Sequence, residues 1–249
     1  MKTTLTRFES TDGLQLNGAL FEPALPTDKI IVHVHGSGGN FYENKFLDSF
    51  AETYTQNGYA FLPFNNRGSG FIRDFRKRND WITIGNENEL FADCVFDIDG
   101  AVNFAKQRGF SEIILQGHSL GCNKIVFYAS QRNFKGRLFL LAPCDVVELS
   151  TLKALSRTTA WKADSSIDLF RYRDGKVVPT VERLENKVLV LIGTADSHIK
   201  QEATQCFDYL ATALKRAKSF DSCLVPDADH SYRGKEQEVA KKIAEWLGV

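Results

Sequence analysis

The sequence predicts an α/β protein with a mostly parallel, twisted sheet and helices on both faces. Short apolar runs rich in β-branched residues alternate with helix-compatible runs along most of the 249 residues. This alternation is typical of parallel strands joined by crossover helices. In addition, Gly117-His118-Ser119-Leu120-Gly121 stands between an apolar run and a helix-compatible run. That order predicts a tight strand-to-helix turn with Ser119 at its apex.

Length and charge are those of one ordinary globular domain, residues 1–249. The 31 basic and 31 acidic side chains balance, so no excess charge indicates nucleic acid or an anionic membrane as a partner. No apolar run approaches the length of a membrane span. The five cysteines are odd in number and lack metal-ligand spacing, and the N-terminus lacks the apolar core of a signal peptide. We therefore expect a cytoplasmic monomer or homodimer.

The first part of the chain predicts a hairpin and then two buried strands. Asp12-Gly13 is a turn signal between two segments of alternating character, residues 5–10 and 14–21, which predicts an N-terminal antiparallel hairpin. The continuous β-branched run at 29–35 is typical of a central parallel strand. Residues 59–64 form another apolar run, which should be a second buried strand.

Two helices are expected between these strands and the Ser119 turn, at residues 40–57 and 86–109. Asn86 is followed three positions later by Glu89. This spacing is typical of an N-cap and its capping-box partner, so the second helix should begin at Asn86. The basic and aromatic segment 71–85 lacks periodicity, and we expect it to be irregular.

The second half of the chain continues the alternation, with one interruption. Residues 143–186 are polar over much of their length and show little periodicity, which predicts a small lid inserted into the domain. The remaining predicted strands are residues 137–142, 188–192 and 219–225, and the remaining predicted helices are 202–218 and 237–247.

Polar residues follow the predicted strands where each strand ends. Because the carboxyl ends of parallel strands meet at one edge of a sheet, these side chains should lie near one another and near a ligand. They are His35, Arg67, Ser119, Asp145, Asp196 and His230.

A serine hydroxyl is a weak nucleophile and needs a general base beside it. Among the five histidines, His230 follows the last predicted strand in a loop that can reach inward, and we predict that it is this base. The others fit less well: His33 lies within a strand, His35 precedes glycines, His118 belongs to the Ser119 turn and His198 is too close in sequence to Asp196.

The base needs a carboxylate to orient it, and the developing oxyanion needs two N–H donors. Asp196 follows a buried strand and is our choice for the acid, with Asp145 as the alternative. The backbone N–H of Leu120 follows the nucleophile and should supply one donor. The glycine-rich loop 36–39 should supply the other, from Ser37.

Taken together, the motifs resemble those of the α/β-hydrolase superfamily. They occur in the superfamily's order of nucleophile, acid and histidine. They are His35-Gly36-Ser37-Gly38-Gly39, Asn66-Arg67-Gly68-Ser69-Gly70, the Ser119 pentapeptide, Gly193-Thr194-Ala195-Asp196 and Asp229-His230.

This resemblance implies an α/β-hydrolase fold and a serine hydrolase that needs no metal or organic cofactor. Its substrate should be a small-molecule ester, with a thioester or amide as alternatives; a non-catalytic binding protein of the same fold is the opposing interpretation. Residues 12–23, 36–44 and 117–122 also look like an esterase branch that includes fungal siderophore-ester hydrolases. Candidate substrate contacts are His35, Gly36, His118, Arg67 and Trp161.

Overall fold

The structure is a computed structural model that describes residues 1–143, 179–199 and 202–248. The strands in these ranges are β1 (Lys2–Glu9), β2 (Gln15–Glu22), β3 (Lys29–Val34), β4 (Ala60–Phe64), β5 (Arg73–Lys77), β6 (Asp80–Ile84), β7 (Glu112–His118), β8 (Leu138–Leu141), β9 (Lys187–Gly193) and β10 (Ser219–Val225). The α-helices there are α1 (Phe46–Gln56), α2 (Cys94–Gln107), α3 (Leu120–Arg132), α4 (Pro179–Glu182), α5 (Ala203–Ala213) and α6 (Glu236–Leu247).

Eight of these strands form one sheet in the order β1-β2-β4-β3-β7-β8-β9-β10. The β1–β2 hairpin is antiparallel, and β2 also pairs antiparallel with β4. From β4 to β10 every neighbouring pair is parallel. The predicted fold class is therefore confirmed, including the N-terminal antiparallel hairpin.

The sheet separates two hydrophobic cores. Alternate residues of β3 face opposite sides: Ile30 and Val32 enter a first core with α2, α3 and α5, whereas Ile31 enters a second core with α1 and α6. Because helices cover both faces, the central strands carry nearly continuous apolar runs rather than an alternating pattern. No helix in the described ranges has both the length and the apolar character that a membrane crossing requires.

The expected irregular segment 71–85 is instead a short hairpin, so that prediction was wrong. β5 and β6 pair antiparallel as a separate two-stranded sheet. Phe75 is buried in the first core, and the partly buried side chains of Ile82 and Ile84 pack against that core. The other β5 positions are charged and more exposed, so the apolar pattern that would have marked a strand is almost absent.

The predicted start of the second helix was also wrong. α2 begins at Cys94, after an extended Leu90 and a single 3-10 turn. Asn86 and Glu89 are not its caps: Asn86 accepts a hydrogen bond from the hydroxyl of Ser37, and Glu89 forms a buried ion pair with Lys124. Both side chains therefore serve contacts between distant segments.

Of the predicted lid, 143–186, the structure describes Pro143 and the C-terminal end, 179–186; residues 144–178 lie outside the described residues. This end comprises α4 and the turn that leads to β9. Val181 and Leu184 are buried in the first core, and α4 packs against α3. The last part of the predicted insertion is thus attached to the body of the domain.

Arg67, which follows β4, is a structural anchor. Its side chain is 4% exposed and contacts the carboxylates of Asp12, Asp93 and Asp97 at 2.9–3.0 Å. These partners belong to the hairpin turn, the 3-10 turn and α2. The contacts join three segments that are distant in sequence, and they occupy the guanidinium.

The ion pairs at Asp12 should make stability depend on pH. Burial by itself raises the pKa of the Asp12 carboxyl group. Contacts with Lys77, Ser10 and Arg67 outweigh this effect and lower the pKa from 3.8 to about 2. A carboxylate with a depressed folded-state pKa contributes stability above its unfolded pKa and loses it as the pH falls through the folded value. We expect Asp12→Asn to lower the unfolding free energy by about 1–2 kcal/mol at pH 7.

Urea unfolding of both proteins between pH 7 and pH 2.5 checks this expectation. The difference in unfolding free energy should narrow below about pH 4, because the Asp12 carboxylate of the unfolded wild-type chain is protonated there while the folded one, with a pKa of about 2, stays largely ionised. A difference that stays constant over this range would show that the Asp12 charge does not contribute.

Candidate active site

Ser119 lies in a tight turn between β7 and α3. Its φ of 56° and ψ of −128° are strained for a residue with a side chain. Two glycines make the turn possible: a Cβ at Gly121 would overlap the carbonyl oxygen of Val34, and a Cβ at Gly36 would lie 2.7 Å from the Cβ of Ser119. The helix therefore begins directly after β7, at the edge of the sheet.

Asp196 and His230 follow the neighbouring strands β9 and β10, and their side chains meet. His230 Nδ1 lies 2.9 Å from Oδ2 and 3.1 Å from Oδ1 of Asp196. Since an ionised carboxylate only accepts, Nδ1–H is the donor and the Nε2 lone pair stays available. Burial by itself raises the pKa of Asp196, but the facing imidazoles of His198 and His230 lower it below the ordinary value.

Two hydrogen bonds from buried side chains fix the loop that carries His230. His118 Nε2–H donates to the carbonyl of His230 at 2.8 Å. Burial lowers the pKa of His118 to about 3, so its ring is neutral. The hydroxyl of Tyr232 donates to the carbonyl of Leu191 at 2.9 Å inside the second core. Tyr232 was not predicted from the sequence, where its signal was an aromatic residue two positions after the histidine.

His198, which was not predicted to be the base, lines the same cavity as Ser119 and His230. Its backbone N–H donates to Oδ1 of Asp196 at 2.8 Å. Its ring stacks on that of His230, with centroids 3.9 Å apart and planes 23° from parallel. His198 Nδ1 is 3.6 Å from Asp196 Oδ1, which is beyond hydrogen-bond distance. The turn at residues 196–198 therefore brings the His198 ring next to the Asp196 carboxylate, although only one residue separates them in the sequence.

The glycine-rich loop after β3 is tied to two other segments. The Ser37 hydroxyl donates to Oδ1 of Asn86 at 2.6 Å, and the N–H of Gly70 donates to the carbonyl of Gly38 at 3.2 Å. Leu120 is the first residue of α3, and first-turn N–H groups have no acceptor within their own helix. The loop and the helix start thus approach Ser119 from two sides.

A network of buried hydrogen bonds fixes the glycine-rich loop after β3. His35 donates from Nδ1 to the carbonyl of Gly36 at 2.8 Å and accepts at Nε2 from the N–H of Asn66 at 3.1 Å. Burial lowers the pKa of His35 to about 3. Lys124 Nζ contacts Oδ1 of Asn66 at 3.1 Å and the Glu89 carboxylate at 2.6 Å. The network connects α3 to the loops after β3 and β4.

A cavity of about 280 Å³ joins several predicted site residues: Gly36, Ser37, His118, Ser119 and His230, with His198 beside them. Asp196 lies behind His230. Arg67 and His35 are not among its lining residues, because each is buried in its own polar cluster. Two further candidates, Asp145 and Trp161, lie outside the described residues.

The comparisons with known proteins agree with this fold. A model of the prolyl oligopeptidase family matches residues 47–248. No curated protein matches the sequence at a significant level. The ferulic acid complex of Est1E from Butyrivibrio proteoclasticus is 21% identical, covers 97% of this chain and 98% of its own, and superposes with a TM-score of 0.71.

Two other solved structures are similar over nearly their whole length. The esterase Pf2001 of Pyrococcus furiosus is 14% identical, with 99% of this chain and 92% of that chain covered and a TM-score of 0.71. XC6422 from Xanthomonas campestris, an α/β serine hydrolase without a lid, is 16% identical, with 98% and 93% covered and a TM-score of 0.66. At these identities the likeness shows a shared fold.

Proposed function

Because the chain belongs to the prolyl oligopeptidase family, whose members are serine hydrolases of the α/β-hydrolase fold, we propose that it is a carboxylic ester hydrolase. The observation that carries this proposal is the arrangement at the sheet edge. Ser119 in its strained turn opens onto the same cavity as His230, and His230 is hydrogen-bonded to the buried Asp196. A nucleophile, a base and an orienting acid are the parts that acyl transfer requires.

In the first half of the reaction, Ser119 Oγ attacks the carbonyl carbon of the ester while Nε2 of His230 takes the hydroxyl proton. The backbone N–H groups of Ser37 and Leu120 hold the oxyanion. When the intermediate collapses, His230 gives its proton to the departing alcohol, and the acyl group remains on Ser119.

In the second half, water attacks the acyl-enzyme and His230 Nε2 takes a proton from it. A second oxyanion forms at the same N–H groups and collapses to release the acid, with the proton returned to Ser119. Asp196 keeps the imidazole in the required tautomer and stabilises its protonated form. The burial of Asp196 and its contact with Nδ1 support this role.

The ester class is supported by the likeness to esterases over nearly the whole chain. The bound acid of Est1E makes hydroxycinnamoyl esters a useful first probe. The second candidate is hydrolysis of amides or thioesters, because the matched family is named for a peptidase and the same three residues would serve. The likeness to siderophore-ester hydrolases stays a prediction.

We also propose that residues 1–249 form one domain in which the insertion at 143–186 is a lid. Two features support this arrangement. The β8 strand before the insertion and the β9 strand after it are parallel neighbours, so the insertion begins and ends on the same sheet. It leaves β8 at the carboxyl edge, the edge that carries Ser119.

Labelling with a fluorophosphonate probe tests the proposed function. The intact protein should react at Ser119, identified by mass spectrometry of the labelled peptide, and His230→Ala should react far more slowly because the base is missing. A panel of nitrophenyl esters, a hydroxycinnamoyl ester, a thioester and aminoacyl anilides then ranks the substrate classes. Folded protein that neither reacts with the probe nor hydrolyses the panel would establish the non-catalytic alternative.

A further inference from the structure

Asp196, His198 and His230 bring three metal-ligating groups together at the sheet edge. One carboxylate oxygen and two imidazole nitrogens lie within 4.8 Å of one another. Imidazole nitrogen and carboxylate oxygen are ligands that Zn²⁺ commonly takes. We propose that this cluster is an inhibitory binding site for a divalent transition metal ion, with Zn²⁺ as its best match. The inhibitory effect rests on the proposed esterase function, whereas the binding itself does not.

Both imidazoles turn Nδ1 toward the same carboxylate, which places the three candidate ligand atoms side by side. His230 Nδ1 is 2.9 Å from Oδ2 of Asp196, and His198 Nδ1 is 3.6 Å from Oδ1. Around tetrahedral zinc, ligand atoms at about 2.0–2.2 Å from the ion lie about 3.3–3.5 Å apart. The two distances to the carboxylate are close to this value. Because imidazole lone pairs lie in the ring plane, the stacked rings must rotate apart for both nitrogens to point at one ion.

His198 supplies a ligand atom that makes no hydrogen bond in the described part of the structure. Its Nδ1 is buried and has no hydrogen-bond partner among the described residues, which is a costly arrangement for a polar atom. A metal ion would satisfy it and would also neutralise the buried charge of Asp196.

The chemistry of the ligands selects the class of ion. Two imidazoles with one carboxylate suit zinc and neighbouring transition metals, whereas Mg²⁺ and Ca²⁺ prefer sites made of oxygen atoms. Three protein ligands leave a fourth position that water can fill.

Metal binding would inhibit hydrolysis through the tautomer of His230. In the metal-free site the single proton of the neutral ring is on Nδ1, where it bonds to Asp196. The metal takes the Nδ1 lone pair, so that proton must move to Nε2, with no net gain or loss of protons. Nε2 then has no lone pair to accept the Ser119 proton. Because the ion lies on the opposite edge of the ring, kcat should fall while KM changes little.

Calorimetric titration of Zn²⁺ into the Ser119→Ala protein tests binding without any need for activity. We expect one ion per chain. His198→Phe in the same background keeps a stacked ring but removes the ligand nitrogen, and should weaken binding at least about tenfold. Cys223→Ser, which removes a partly exposed thiol, should bind Zn²⁺ as before, and Mg²⁺ should not compete. Circular dichroism verifies that each variant is folded.

Two results would overturn the site: equal Zn²⁺ affinity with and without the His198 imidazole, or no binding of one ion per chain. With active wild-type enzyme, Zn²⁺ should lower kcat on a neutral ester and EDTA should restore it, while the activity of His198→Phe should be less sensitive to Zn²⁺. If one ion binds through His198 but the wild-type enzyme hydrolyses no substrate, the metal site stands and the proposed function fails.

Discussion

Ser119→Ala should lower kcat for ester hydrolysis by about 10⁴- to 10⁶-fold, because no acyl-enzyme can form without the hydroxyl. The change removes one oxygen atom from a half-buried side chain in the turn, so the fold should be kept. The residual rate should come from direct attack of water on the ester, with the oxyanion still stabilised by the backbone N–H donors. The measurement is kcat on a nitrophenyl ester, with circular dichroism and the melting temperature recorded alongside.

Two serine variants serve as controls for this experiment. Ser222→Ala changes an exposed position in β10 and should keep full activity. Ser37→Ala removes the hydroxyl bond to Asn86 but keeps the backbone N–H that we assign to the oxyanion, so it should cost much less than Ser119→Ala. Undiminished turnover by a folded Ser119→Ala protein would contradict the assignment of the nucleophile.

Lys124→Met should lower the free energy of unfolding by about 3–5 kcal/mol, because it leaves the carboxylate of Glu89 buried without its partner. Both side chains are 0% exposed, and the distance from Lys124 Nζ to Glu89 Oε2 is 2.6 Å. Replacing both members with neutral side chains, Lys124→Met with Glu89→Gln, should recover much of this loss since no charge then remains buried. Urea unfolding of the single and double variants measures the difference.

The exposed ion pair between Lys135 and Glu185 provides the matched control. Its partners lie at the surface, where solvent screens the interaction, so Lys135→Met should change stability little. A Lys124→Met protein as stable as this control would show that the buried pair contributes no more than a surface pair. If the lower unfolding free energy of Lys124→Met came from a cavity and not from the unpaired Glu89 charge, the double variant would be no more stable than the single one.

The Ser119 turn could be predicted because its requirements are local. Gly121 must lack a side chain for α3 to pass next to β3, and the flanking apolar run and helix-compatible run are adjacent in the sequence. The central strands were equally accessible, since burial on both faces demands continuous apolar residues. These signals established the fold class and the order of the candidate nucleophile, acid and base.

Asn86 and Glu89 show why other features could not be predicted. Their residue types and spacing satisfy a helix cap, but the same groups can bond to distant partners. Those partners, Ser37 and Lys124, are supplied by the tertiary fold. His198 is a related case, because closeness in sequence to Asp196 did not prevent a tight backbone turn from bringing its ring against His230.

The position of β7 in the middle of the sheet has a mechanical consequence. This strand lies between β3 and β8, and all but its first residue are buried. A nucleophile carried there cannot be displaced unless neighbouring parallel strands separate, which is among the most costly openings of such a fold. The serine is therefore fixed to the stiffest part of the molecule, and adaptation to substrates of different shape must come from the loops around it.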